Sequence, residues 1–302
     1  ALSAWGTANM RTGGDDIAQA LALMGVKPKW DQTSGRVTGF EIIDLRHLNR
    51  PRVDVTLRVS GFFRDAFPAQ IALFDQAVRA VAELDEPAEQ NPLAATVRAE
   101  VAQGADARLA SYRVFGSKPG AYGAGLQALI DEGGWEQAED LAAAYLAWSG
   151  YAYGDKIEGA ATQDQLEARL KGVQAVLHNQ DNREHDILDS DDYYQFEGGL
   201  AVSVKALTGA APAVYHNDHS RPETPRVRSL QEEIGRVVRG RAVNPKWIKG
   251  VMRHGYKGAF EVAATVDYLF AFAATTEAVS NQHFDAVYGA YVADEEVWDW
   301  MG

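Results

Sequence analysis

Apolar and polar positions change period along the first third of the chain. From Asp15 to Met24, the residues Ile17, Ala20, Leu21 and Met24 fall at i, i+3, i+4 and i+7, and Gly25 follows as a stop. That spacing predicts an amphipathic helix with one buried face. Val53, Val55, Leu57 and Val59 then alternate with Asp54, Thr56, Arg58 and Ser60, the period of a half-buried strand. Gly61 breaks the alternation, and Phe67, Ile71, Phe74, Val78 and Val81 return to a helical period. Strand, glycine turn and long helix form half of a βαβ unit. The expectation is an α/β fold, with a Rossmann-like, mainly parallel mixed sheet over residues 1–135. A further short strand is expected at Ala110–Phe115, and the acidic, proline-containing run Glu83–Pro92 reads as an exposed connection.

Residues 136–302 read as a helix-rich portion. Thr162 and Gln165 have capping-box spacing ahead of a helix whose inner face is Leu166, Leu170, Val173 and Leu177. Ser229 and Glu232 repeat the device before Leu230, Ile234, Val237 and Val238, and Asn244-Pro245 reads as an N-cap followed by proline at the first helical position. A short strand is expected at Ala213–Tyr215, and two short helices between Phe284 and Met301.

Composition narrows the chemistry. With 46% hydrophobic and 24% charged residues the chain is globular rather than disordered. A formal net charge of −13 argues against a nucleic-acid surface and suits contact with cations. The absence of cysteine excludes thiolate metal sites and thiol nucleophiles and is compatible with a reducing cytoplasm. No apolar stretch approaches the ~20 residues of a membrane span. Nor does the start resemble a secretory signal. A chain that opens on Ala1 without an initiator Met is expected to be a piece of a longer one.

Several segments could carry chemistry. Gly116-Ser117-Lys118-Pro119-Gly120-Ala121-Tyr122-Gly123-Ala124-Gly125 is rich in glycine but has neither GxxxxGK[ST] nor GxGxxG. Positive φ angles explain these glycines at least as well as a phosphate does. The densest polar string runs from His178 to Glu197, with two histidines and seven carboxylates, among them Asp181, Glu184 and Asp189 beside Arg183, His185, Tyr193 and Tyr194. Mixed imidazole and oxygen ligation suits a borderline dication such as Co²⁺, Ni²⁺ or Zn²⁺. A solvated acidic loop is the plainer alternative. His216-Asn217-Asp218-His219 follows the expected strand, where α/β sites form. His254 lies between two helices, where a capping or packing role is the default. Arg64-Asp65 opens the long helix on the same site-forming edge.

These strings together resemble a known family. They are Gly6-Thr7-Ala8-Asn9-Met10-Arg11-Thr12-Gly13-Gly14, Arg50-Pro51-Arg52-Val53-Asp54-Val55, Ser60-Gly61-Phe62-Phe63-Arg64-Asp65, Phe115-Gly116-Ser117-Lys118-Pro119-Gly120, Asn244-Pro245-Lys246-Trp247 and Met252-Arg253-His254-Gly255-Tyr256-Lys257-Gly258. The resemblance is to the large subunit of class I tetrapyrrole metal chelatases, which includes the aerobic cobaltochelatase subunit CobN and the H subunit of magnesium chelatase. It runs from Trp5 to Trp300. Asn179-Gln180-Asp181-Asn182-Arg183-Glu184-His185-Asp186 and the paired tyrosines look like the cobalt branch. Members of the family are several times longer, so the match is to their C-terminal part.

The resemblance implies insertion of Co²⁺ into hydrogenobyrinic acid a,c-diamide, with ATP hydrolysed by partner motor subunits of the AAA+ type. It implies His185, Glu184 and Asp181 for metal delivery or proton acceptance, with Asp189 as a further ligand and His254 as a second catalytic candidate. Arg64 and Arg183 would meet carboxylates of the macrocycle, and Tyr193, Tyr194 and His216 would border it. Two other readings stand beside this one. One is a non-catalytic module that holds the tetrapyrrole or docks the motor, and the other is a magnesium-chelatase-type large chain acting on a porphyrin.

Overall fold

The computed structural model describes residues 1–302. The fold is mixed α/β and forms two compact units, Ala1–Gly123 with Leu146–Val173, and Ala124–Tyr145 with Gln174–Gly302. The chain therefore passes between units after residues 123, 145 and 173, rather than once near residue 135.

In the first unit, β1 (Leu2–Ala4) pairs in parallel with β4 (Leu57–Val59), and β4 pairs in parallel with β5 (Val114–Gly116). Antiparallel β6 (Tyr151–Gly154) and β7 (Ile157–Ala161) extend the sheet beyond β5. A separate hairpin joins β2 (Val26–Trp30) to β3 (Val37–Ile42). The helix Asp15–Met24 forms as its periodicity predicts, with Gly25 left-handed at its end. Ser60 caps the short helix Gly61–Ala66, and the helix Pro68–Ala82 then buries Ile71, Phe74, Val78 and Val81.

Two expectations need correction here. Only Leu57–Val59 of the predicted strand pairs. Asp106 caps a short helix at Ala107–Ala110, which displaces the start of the strand expected at 110.

Buried arginines brace this unit. The Arg58 guanidinium donates to Ser149 Oγ at 2.9 Å and to the Gly123 carbonyl at 2.9 Å. Arg113 forks onto Asp54 at 2.6 and 3.0 Å. In the glycine-rich segment, Gly120, Gly123 and Gly125 have φ of +80°, +74° and +82°, so the turn itself requires them.

In the second unit, β8 (Ala175–Gln180) pairs in parallel with β9 (Ala213–Asp218), and β10 (Arg226–Ser229) lies antiparallel to β9. The crossover from β8 to β9 contains the helix Gly199–Thr208. The capping box at Ser229 and Glu232 is formed, and Asn244 caps the helix that Pro245 opens. Thr162 makes no side-chain cap, however. The helix there ends at Leu170, and Leu177 belongs to β8. Helices Asn281–Tyr291 and Glu295–Met301 close the chain as expected. No helix is long and apolar enough to cross a membrane.

Candidate metal-delivery cleft

The site forms at the carboxyl ends of β8 and β9, where parallel strands of an α/β sheet release their chains into loops. The β8–β9 register sets His178 beside His216 and Gln180 beside Asp218. The two imidazoles stack with ring centres 5.3 Å apart, and both are buried. His216 Nε2 lies 2.8 Å from Gln180 Oε1. An amide oxygen only accepts, so the His216 proton sits on Nε2. The Gln180 amide nitrogen donates to the His185 carbonyl at 2.5 Å, which ties the loop to the end of the strand.

The loop 181–190 is held from below and from the side. Ile187 and Leu188 are buried. Arg241 forks onto Asp186 at 2.6 and 2.9 Å, reaches Asp189 at 3.1 Å and lies over the Trp247 ring at 5.0 Å. Asp189 also accepts from the Asp186 amide at 2.9 Å. Burial, then the charge of Asp186, raises the Asp189 carboxyl above the usual range, with Arg241 pulling the other way. Anchoring of this kind leaves Glu184 and His185 exposed, with no hydrogen bond or ion pair on either side chain. Both line an open cleft of about 560 Å³, together with Arg183, Asp186, Asp189 and Arg236. A second cavity of about 500 Å³, around Ala201, Pro212 and Ala274, holds only the Lys205–Glu277 pair as charged groups.

The structure brings together Arg183, Glu184, His185 and Asp189 from the expected set. Asp181, at the end of β8, is half-buried, accepts from the Asn182 amide at 3.2 Å and is not a wall of the cleft. His254 is exposed in the turn between helices Pro245–Met252 and Tyr256–Thr275, away from the cleft lining.

Four other expected contact residues lie outside the cleft lining. Tyr194 is 1% exposed and packs on Tyr268 and Phe272 in the core. His216 is equally enclosed and meets Gln180. Tyr193 presents its edge to His178 at 4.9 Å. Arg64, in the first unit, is spent on the glycine-rich loop, donating to the carbonyls of Lys118 and Ala121 at 2.9 Å and forking onto Asp65.

Four contributors to the cleft were not read as site residues from the sequence: Arg236, Arg241, Trp247 and Glu261. Arg241 sits in a π-helical turn, Val238–Ala242, that follows the helix Leu230–Val237. Such turns shift the face a side chain occupies, and no 3.6-residue pattern foresees that.

The end of β8 thus presents an imidazole and carboxylates on an open cleft. The family profile described as CobN/Magnesium Chelatase matches residues 1–302, and the chain belongs to that family. Within it, the chain is 68% identical over 308 residues to the aerobic cobaltochelatase subunit CobN of Sinorhizobium sp, covering 99% of this chain and 24% of that protein. It is 34% identical over 297 residues to the H subunit of magnesium chelatase from Cereibacter sphaeroides, covering 98% of this chain and 25% of the relative. The solved catalytic subunit of cobaltochelatase from Mycobacterium tuberculosis superposes with a TM-score of 0.98 at 50% identity, over 99% of this chain and 26% of that one. The chain thus spans about a quarter of the length of the relatives it matches.

Proposed function

We propose that this chain forms the metal-delivering part of the large subunit of an ATP-dependent cobaltochelatase, which inserts Co²⁺ into hydrogenobyrinic acid a,c-diamide on the route to cobalamin. The observation that carries the reading is the pair Glu184 and His185, unpartnered on an open cleft that Asp189 borders. Imidazole and carboxylate together suit Co²⁺, whereas Mg²⁺ keeps to oxygen and water. The His, Asp and Glu side chains do not close into a three-ligand metal cage. Insertion requires the ion to lose its water stepwise, and carboxylate and imidazole groups can replace that water as transient ligands.

Insertion also requires acceptors for the pyrrolic protons. Imidazole and carboxylate serve in that role as readily as in ligation. Arg183, on the wall of the cleft, offers a guanidinium fork to the acidic arms of the macrocycle. ATP hydrolysis falls to partner motor subunits of the AAA+ type.

Titration of Co²⁺ and Mg²⁺ into the wild type and His185→Ala, with and without macrocycle, tests the reading. Co²⁺ affinity is expected to fall about tenfold or more in the variant, with Mg²⁺ little changed. Unchanged Co²⁺ affinity would reduce the loop to scaffolding and favour a non-catalytic tetrapyrrole-holding module.

A further inference from the structure

The chain is strongly acidic, with a formal net charge of −13. Yet a cavity of about 290 Å³ in the second unit is walled by Arg183, Arg221, Arg226, Arg228 and Arg236, with Asp218 as its one acidic residue. The topology assembles this wall from separate pieces of chain. Arg226 and Arg228 stand two apart on β10 and share a face. Antiparallel pairing sets them opposite Asp218 and His216 of β9. Arg183 comes from the loop after β8, Arg221 from the β9–β10 connection and Arg236 from the helix Leu230–Val237.

Two buried carboxylates fix three of the five guanidinium groups. Glu233 is 0% exposed and holds Arg236 at 2.5 and 2.9 Å and Arg228 at 3.3 Å. Asp218 holds Arg183 at 2.8 Å and lies 3.6 Å from Arg228. Arg221 and Arg226 form no ion pair. Five guanidinium groups against two carboxylates leave an excess of three positive charges around one small cavity. Guanidinium forks match oxyanions in shape and charge, and a bound oxyanion relieves their mutual repulsion.

Arg183 and Arg236 also line the cleft that holds His185, so the two spaces share a wall. We propose that the arginine cavity is an oxyanion site that takes a carboxylate arm of the macrocycle while the ring lies over the neighbouring cleft. This inference rests on the functional reading above. The cavity is large enough for an acetate or propionate arm, or for one phosphate.

The chain is titrated calorimetrically with propane-1,2,3-tricarboxylate and, separately, with inorganic phosphate. Variants are Arg221→Gln and Arg226→Gln, which remove no ion pair, with Arg46→Gln in the first unit as control; thermal unfolding verifies that each is folded. The tricarboxylate is expected to bind the wild type and the control alike, to bind better than phosphate, and to weaken about tenfold or more in each cavity variant. Equal tricarboxylate affinity in wild type and cavity variants overturns the site. Preference for phosphate overturns its assignment to a carboxylate arm. Tricarboxylate binding that needs Arg221 and Arg226, in a chain whose Co²⁺ affinity is indifferent to His185, keeps the oxyanion site and removes the metal-delivery reading.

Discussion

Glu233 lines neither the cleft nor the arginine cavity, yet it anchors arginines in their walls. A carboxylate withdrawn from water without partners is costly, and this one is fully buried. It is stabilised by Arg236 on its own helix and Arg228 on β10, and its Oε1 lies 3.8 Å from His216 Nε2. Replacing Glu233 by Gln leaves Arg236 without its carboxylate and Arg228 with only Asp218, 3.6 Å away. Arg236 is 41% exposed and recovers hydration, which discounts the penalty. Glu233→Gln is therefore expected to cost about 2–3 kcal/mol in equilibrium urea unfolding, and to loosen the wall shared by the cleft and the arginine cavity. A loss below about 0.5 kcal/mol, the range of ordinary surface changes, would show that the pairs contribute little. Residue type is legible in a sequence and its occupation is not. Arg64, Tyr194 and His216 all read as ligand contacts. Their actual partners are the carbonyls of Lys118 and Ala121, the ring of Phe272 and the amide of Gln180, each distant along the chain.

Short-range signals produced the elements read correctly. The capping box at Ser229 closes within four residues, with Ser229 Oγ accepting from the Glu232 amide at 3.2 Å and Glu232 Oε2 accepting from the Ser229 amide at 2.8 Å. That turn aims both β10 and the following helix, and so places Arg228 and Arg236. Ser229→Ala is expected to cost about 1 kcal/mol, read in thermal or urea unfolding, and Ser229→Thr should retain most of it. What was missed depends on distant partners. The helical period of Leu166, Leu170, Val173 and Leu177 runs on past the helix end at Leu170 into β8, since periodicity alone does not mark where pairing with β9 takes over. The strand β8 ends in His178-Asn179-Gln180, which is polar yet buried. A hydrophobic pattern cannot announce a strand whose interior face is imidazole and amide. β6 was hidden for a different reason, since Tyr151–Gly154 is too short to show a period.

Across the whole chain, the buried titratable groups of the second unit predict the shape of its stability against pH. Burial pushes His216 from an ordinary 6.5 down to about 3 and holds His178 well below its ordinary value. Both imidazoles are therefore neutral in the folded chain and gain a proton only on unfolding. Below about pH 6.5 the unfolded chain binds the extra protons, so stability falls as pH drops toward 3, by up to about 1.4 kcal/mol per pH unit for each histidine. Glu197 acts in the opposite sense. It is 0% exposed, neither carboxyl oxygen has a hydrogen-bond partner, and burial followed by the charge of Glu233 raises it well above the carboxylate range. Above its ordinary value of 4.5 the unfolded chain releases a proton that the folded chain keeps, so this group lowers stability as pH rises. The opposed slopes can be separated by urea unfolding at pH 5, 6 and 7. In His216→Gln, the stability difference from wild type should shrink as pH falls, because only the wild type loses the contribution of that neutral imidazole. In Glu197→Gln, the variant should gain on the wild type as pH rises. Curves for either variant that stay parallel to the wild type would mean that its buried group titrates alike in the folded and unfolded chains.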